Sequence, residues 1–476
     1  MPDLPSPGRP VRVGLDGFNL AMRRGTGVAT YARTLSRCLH GLGHPVDVVY
    51  GMNIGARMPA ALREVLFFDG LDQDGGRAPP APLTPRWLRE LSLAARALAA
   101  VPVPITGRVV AQAFAARLPH QDRVLNAPDL FGAAERHFRR HGRFLRLRLP
   151  DPPAVMHWTY PLPIRLEGAR NVYTIHDLVP LRLPYTTLDN KRFYYRLIRG
   201  CLRWGDHVCT VSEASRRDIL DLFAAPPGRV TNTYQAVVPP APALAQSDAQ
   251  VAEQVRGLFG LEPDGYFLFF GAIEPKKNIG RLIEAHLTSG LATPLVIVGA
   301  RAWRSEGELQ LVQPWGASGG ASGGASGGAL GGEGSKPARP QQVRQLDYLP
   351  AALLMTLVRG ARAVVFPSLY EGFGLPVLEA MLLGTPVLTS TEGSVPEVAG
   401  DAALLVNPYD PAAIAEGLRR LDSDDGLRAE LAARGRRQAE RFSMARYQAR
   451  VAAMYADVLA APAGQQPCFD QGGSPS

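Results

Sequence analysis

Short apolar runs recur along this chain, most of them ending in a glycine or a polar residue and each leading into a stretch with helical spacing. They are VRVGLDG (Val11 to Gly17), NVYTIHD (Asn171 to Asp177), HVCTVSE (His207 to Glu213), GYFLFFGAI (Gly265 to Ile273), PLVIVGA (Pro294 to Ala300), RAVVFPS (Arg362 to Ser368) and TPVLTS (Thr385 to Ser390). Near-continuous apolar runs suit parallel strands covered on both faces, whereas half-exposed strands alternate. Strands that alternate with helices in this way predict a doubly wound α/β architecture. With 476 residues, of which 46% are hydrophobic and 20% charged, the chain is long enough for two such domains.

Charge divides the chain. Residues 1–240 carry 32 Lys and Arg against 19 Asp and Glu, and the remainder carries 20 against 24. The break PPAPALAQSDAQ (Pro239 to Gln250) falls where the balance changes. The expected organisation is an N-terminal domain over 1–240, a C-terminal domain over 251–445, a terminal helix over 446–460 and a disordered tail over 461–476. A Gly/Ser/Ala tract over 316–340 reads as a flexible excursion from the second domain, because it has too little apolar surface to order itself.

Several classes are disfavoured. The first residues hold no basic region followed by an apolar run, so no signal peptide is expected. LSLAARALAAVPVPI (Leu91 to Ile105) is too short, and too interrupted by Arg96 and two prolines, to span a membrane. Four cysteines without a CxxC pair suggest reduced thiols in a cytoplasmic protein. The basic first half points to an anionic surface or substrate; without a zinc-finger or RRM signature, nucleic acid is not expected.

Four stretches, each after a strand-like run, carry candidate chemistry, since ligands of open α/β sheets bind beyond the carboxyl ends of the strands. In LYEGFGLPVLEAM, Gly372 and Gly374 permit tight turns, and Pro376 with Leu375, Leu378 and Leu382 starts a helix whose free N–H groups suit phosphate. Glu371 and Glu379 flank this turn, and such a pair can hold vicinal hydroxyls; equally, Glu379 is a dipole-favoured helix residue and Glu371 a solvated loop charge. In FFGAIEPKKNIG, two of only four lysines in the chain, Lys276 and Lys277, stand side by side after a strand. Against 48 arginines this suggests a need for compact point charges facing phosphate, or else a basic turn. Gly25 and Gly27 precede a helix, but Thr30 breaks the dinucleotide fingerprint. His176 and Asp177 end a strand, where a structural pair is the plainer reading. The triplets Asp72/Asp74 and Asp422/Asp424 lie in polar surroundings and are not expected to bind metal.

Taken together and in order, GTGVATYARTL, YTIHD, VCTVSEASRRDI, GAIEPKKN, EGFGLPVLEAM and SVPEVAGDAALLVNP resemble the retaining glycosyltransferases of family 4 over roughly residues 11–455, the Gly/Ser tract apart. The resemblance is nearest to the mannosyltransferase-like branch that builds bacterial surface polysaccharide. It implies the GT-B fold, an α/β architecture of two facing Rossmann-like doubly wound domains with a cleft between them. It further implies that Glu379 holds the ribose hydroxyls of a nucleotide-sugar donor, GDP-mannose favoured, and that Glu371 contacts the sugar ring. N–H groups near Phe373, Gly374 and Leu375 cradle the diphosphate, Lys277 with Lys276 meets the departing phosphate, Gly27 faces the phosphates and His176 lies by the sugar. Many members have an arginine where this chain has Ala272. No cofactor or metal is implied. The acceptor is a glycan or a polyprenyl-diphosphate-linked glycan, and the place of action is the cytoplasm or the inner face of the plasma membrane. A UDP-sugar donor, an inactive nucleotide-sugar-binding protein and, less well supported by its glycine pattern, an NAD-dependent oxidoreductase remain as other readings.

Two outcomes are expected from sequence. RHFRRHGRFLRLRLP (Arg136 to Pro150) holds six arginines, no acid and interleaved Phe138, Phe144, Leu145, Leu147 and Leu149, the composition of a segment lying on an anionic membrane, of a solvated basic helix or of an acceptor-pyrophosphate site. The Gly/Ser tract is expected to be dispensable, because loop-closure entropy changes slowly with length. Replacing Ala317–Ser335 with a short Gly/Ser turn should leave melting temperature and turnover nearly unchanged; a large loss of either would show that the tract folds or gates the site.

Overall fold

The computed structural model describes residues 10–22, 27–55, 57–73, 97–115, 117–302, 305–311 and 342–462. Gly25, Asp74, Cys468, the Gly/Ser tract and the tail from residue 463 lie outside the described residues. The chain forms two compact units, one from the described residues within Met1–Val238 and Phe442–Ser476, the other within Pro239–Arg441. The helix expected over 446–460 is thus part of the first unit.

The first unit is built on eight strands: β1 Val13–Asp16, β2 Val46–Tyr50, β3 Val101–Val103, β4 Arg123–Asn126, β5 Val155–Trp158, β6 Arg170–Ile175, β7 His207–Thr210 and β8 Val230–Asn232. Their order is β8-β7-β6-β5-β1-β2-β4-β3, and every pairing is parallel except β3 with β4. A smaller sheet joins Leu98–Ala99, Leu145–Arg148 and Ile164–Leu166. Helix α1 (Gly27–Gly41) buries Tyr31, Ala32, Leu35, Cys38 and Leu39, a stripe at helical spacing.

The second unit holds β9 Phe267–Phe270, β10 Leu295–Val298, β11 Val343–Leu346, β12 Ala363–Phe366, β13 Val387–Ser390 and β14 Leu404–Val406, in the all-parallel order β11-β10-β9-β12-β13-β14. Counted from its own first strand this is 3-2-1-4-5-6, the Rossmann order, in which the topology reverses between β9 and β12. Helix α2 (Leu375–Leu383) follows β12, and α3 (Met444–Ala460) closes the described part of the chain in the first unit.

The basic segment differs from its expected form. Its helix (Leu130–His141) ends at Gly142, which takes a left-handed φ of 64°, and the chain then turns into the strand Leu145–Arg148. Phe138, Phe144, Leu145, Leu147 and Leu149 are all buried in the core of the first unit. The apolar half of the expected interfacial face is therefore spent on packing. Of the arginines, Arg139 pairs with Glu135 at 2.6 Å and stacks over Phe193, while Arg146 and Arg148 both pair with Glu167. Among the described residues no helix is long and apolar enough to cross a membrane, and Cys38, Cys201 and Cys209 are buried free thiols.

Helix α3 is fixed to the first sheet by a buried polar chain. The Tyr31 hydroxyl lies 2.9 Å from Thr174 Oγ1, which lies 2.7 Å from His157 Nε2; His157 Nδ1 meets the Tyr455 hydroxyl at 2.6 Å. Burial, with His176 and His207 nearby, holds the His157 imidazole neutral, its pKa pushed down to about 3. Removing one member strands a buried polar atom, at about 1–3 kcal/mol. Tyr455→Phe should lower the urea midpoint accordingly, and an unchanged midpoint would contradict the role given to this bond. Acid should separate His157→Gln from the parent as well. Below the ordinary histidine pKa of 6.5 the unfolded parent binds a proton that native His157 refuses, so this group costs the parent stability as pH falls. The midpoint of His157→Gln relative to the parent should therefore rise between pH 7 and pH 5; a constant difference would contradict a neutral, buried His157.

Candidate active site

Two loops leave the second sheet on either side of its reversal point. The loop after β9 contains the single 3-10 turn Pro275–Lys277 and ends at Asn278, a non-glycine residue at φ 63°. The Asn278 side chain donates to the carbonyls of Pro367 at 3.0 Å and Pro408 at 2.6 Å. The loop after β12 is joined to the first: Leu369 N donates to the Lys276 carbonyl at 2.8 Å, and Ser368 Oγ lies 3.1 Å from the same oxygen. These bonds carry Lys277 and Glu371, 94 positions apart, into one ion pair.

Lys277 Nζ donates to Glu371 Oε1 at 2.7 Å and lies 5.0 Å from the centre of the Phe366 ring. Ser368 Oγ donates to the same carboxylate oxygen. The pair is buried, its side chains 12% and 8% exposed. Burial alone raises the Glu371 pKa; the charges of Lys277 and Lys276 and the bonds from Lys277 and Ser368 outweigh it and hold the carboxyl below its ordinary value. Glu371 is thus ionised at neutral pH, not the solvated loop charge that the sequence also allowed. Its backbone is held as well: Ser394 Oγ donates to its carbonyl at 2.8 Å. Gly393, at φ 66°, passes so close that a Cβ there would stand 3.1 Å from Glu371 N.

Helix α2 begins at Gly374, whose φ of 100° only glycine adopts at ease, with Leu375 and Pro376 as its first residues. The N–H groups of Gly374 and Leu375 donate to nothing among the described residues, which leaves the positive end of the helix open to an anion. Phe373 is buried just before it. Glu379, half-buried on α2, has no hydrogen-bond or ion-pair partner among the described residues, and burial raises its pKa to about 7. Two carboxylates on one turn-and-helix unit therefore sit in opposite electrostatic states. Lys276 is half-buried, its Nζ 3.5 Å from Glu274.

The remaining candidates belong to the first unit. Gly27 is the exposed first residue of α1. His176 follows β6, and its Nε2 donates to the Thr159 carbonyl at 2.9 Å. Its ring stands edge-on to Tyr31, and Ser215 Oγ donates to its carbonyl at 2.7 Å. Asp16, buried at the end of β1, accepts from the Thr159 amide and from Phe18 N at 3.2 Å, and burial raises its pKa to about 6. Asp177 instead closes a local turn, accepting from Val179 N at 3.1 Å.

The second unit thus brings Lys276, Lys277, Glu371, Phe373, Gly374, Leu375 and Glu379 onto two joined loops and the helix they feed. Sequence reasoning missed Ser368, Asn278 and Ser394, which orient these groups, and Asp16 of the first unit, which holds the Thr159 amide beside His176. The only available signal was an asparagine, tolerant of left-handed φ, directly after the lysine pair. Asp422 is taken by Arg362 and by Thr293 Oγ1 at 2.6 Å, and Asp424 caps the helix Asp425–Ala439. Both have structural jobs.

Residues 105–238 match the family described as Glycosyltransferase Family 4, and residues 339–438 match Glycosyl transferases group 1. The chain is 35% identical to the O-antigen chain mannosyltransferase B of Escherichia coli over 59% of its own length and 68% of that protein. It is 29% identical to the serotype-specific mannosyltransferase WbdA of Escherichia coli over 58% of its length, but spans only 32% of that larger protein. In fold it is similar to the sucrose-phosphate synthase of Thermosynechococcus elongatus, with a TM-score of 0.59 and 16% identity over 95% of this chain and all of that one. With two parallel-sheet Rossmann-like units, matches to both family descriptions and its likeness to the O-antigen enzymes, the chain belongs to the group 1/family 4 glycosyltransferases of GT-B fold, in their mannosyltransferase branch.

Proposed function

We propose that this glycosyltransferase moves mannose from GDP-mannose, with retention of configuration, onto a glycan or polyprenyl-diphosphate-linked glycan during surface polysaccharide assembly. The observation that carries this reading is the buried Lys277–Glu371 pair beside the open end of α2. Glu371 Oε1 is filled by two donors, so Oε2 is the atom that accepts from sugar hydroxyls and sets the ring. Lys277 and the N–H groups of Gly374 and Leu375 hold the diphosphate and stabilise the charge that grows as the anomeric C–O bond breaks. Lys276 adds to this charge, since Ala272 supplies none. The acceptor hydroxyl attacks the face that the diphosphate leaves, and its proton passes to the departing phosphate oxygen. No side chain is needed as base, and no cofactor takes part. The enzyme acts at the cytoplasmic face, where any contact with anionic lipid rests on charge, the apolar residues of Arg136–Pro150 being committed to the core.

Glu379 offers its carboxylate to the ribose hydroxyls, and its raised pKa makes this contact pH-dependent. Between pH 6 and pH 8 the ionised fraction of a group with pKa about 7 rises about tenfold, and nucleoside diphosphate affinity should follow. Glu379→Gln should lack this rise, keeping only the titration of the phosphate itself. In calorimetry with GDP and UDP, Glu379→Ala should lose about 1.5–3 kcal/mol. Glu371→Ala should keep nucleotide binding, which involves no sugar, and lose turnover. Equal loss of nucleotide affinity in both variants, or a Glu379→Gln profile identical to the parent's, would overturn the roles assigned. Tighter binding of UDP-sugars than of GDP-mannose would replace the donor and leave the site intact.

A further inference from the structure

At the amino ends of β6, β7 and β8 the first unit contains a cavity of about 320 Å³. Arg170 and His207 are the first residues of β6 and β7, and Arg229 directly precedes β8. His176 and Thr159 stand beyond the opposite, carboxyl ends of the parallel strands β6 and β5, so this cavity is separate from the ligand end of the sheet. The last turns of α3, with Asp457, and the residues just after it form another wall.

Four arginines line the cavity, Arg165, Arg170, Arg203 and Arg229, against two aspartates, Asp206 and Asp457. One acid and one arginine are already engaged: Asp206 accepts from Asn171 N at 2.8 Å and lies 3.4 Å from Arg170, which also donates to the carbonyls of Ala461 and Pro462. Arg165 is half-buried and has no hydrogen bond or ion pair among the described residues. Arg203 is exposed and, among the described residues, meets only the Trp204 ring, 5.6 Å away. Arg229 is fixed by a bond from Nη2 to the Gly205 carbonyl, while its Nη1 is buried with no partner among the described residues. A buried donor left unpaired, as Arg229 Nη1 is, is costly, and the cost is recovered when an acceptor arrives. His207, held neutral by burial and bonded to Thr231 Oγ1 at 2.8 Å, adds no charge.

We infer that this cavity is a second anion site of the chain, built for a phosphate monoester, with guanidinium forks for its oxygens and the lining Trp204 beside the esterified group. Planar, multidentate donors suit phosphate better than a monovalent carboxylate. Because α3 forms one wall, a bound phosphate ties α3 to the strands it packs on. The site does not depend on the donor reading above, since none of its residues belongs to that site.

Calorimetry with the full chain, its nucleotide site saturated with GDP, tests the inference with two probes: glycerol 1-phosphate in solution, and vesicles of phosphatidylcholine with phosphatidic acid. The parent should bind at least one of them saturably. Arg165→Gln/Arg203→Gln, which removes no ion pair among the described residues, should weaken that binding about tenfold or more, with GDP affinity unchanged. Arg165→Lys/Arg203→Lys keeps the charge but loses the forks, and should restore it only in part. Binding of glycerol 1-phosphate identifies a soluble ligand; binding of vesicles alone identifies a lipid headgroup. No saturable binding of either probe, or binding undiminished in the glutamine variant, would overturn the site.

Discussion

The site depends on one buried ion pair between residues far apart in sequence. Lys277 and Glu371 come from loops on opposite sides of the reversal in the second sheet, and neither charge is stable at that depth without the other. Their surroundings are built to keep them together: Asn278 and the Lys276 carbonyl join the loops, Ser368 and Ser394 hold the side chain and backbone of Glu371, and the Phe366 ring lies under the ammonium. A sheet whose strand order reverses at β9 and β12 leaves a crevice at that point, and the pair lies there. Glu371 is therefore charged and oriented before a ligand arrives.

Glu379 is the counterpart. It shares the turn-and-helix unit with Glu371 but has no cation, so burial leaves its pKa near 7. One carboxylate is fixed in its charge and the other is poised. This difference comes from partners, not from residue type, and it underlies the separate roles proposed for the two glutamates.

Much of the fold was legible because seven strands are near-continuous apolar runs, and the Pro275 and Pro376 turns mark the starts of the site's elements. Strands such as Arg123–Asn126 and Val343–Leu346 were not, since two of the four residues in each are polar, Arg123 and Asn126 in one, Arg344 and Gln345 in the other. The residues Arg136–Pro150 were misread because composition was weighed above period. The alternation in LRLRL is the two-residue repeat of a strand, and Gly142 is the point where helical spacing ends. The glutamates and lysines were legible as types at strand ends. Their pairing was not, because it joins positions 94 apart, and neither were the supporting side chains, whose value lies in tertiary hydrogen bonds.

The central proposal is that transfer proceeds with retention and without a metal, Lys277 and the open end of α2 meeting the charge of the departing diphosphate. Proton NMR of the EDTA-treated enzyme, supplied with GDP-α-mannose and a mannose-terminated acceptor, tests it most directly. The account predicts that GDP and a new α-mannosyl resonance appear together without added metal. A β-mannosyl product, or transfer only after a divalent cation is restored, would contradict it.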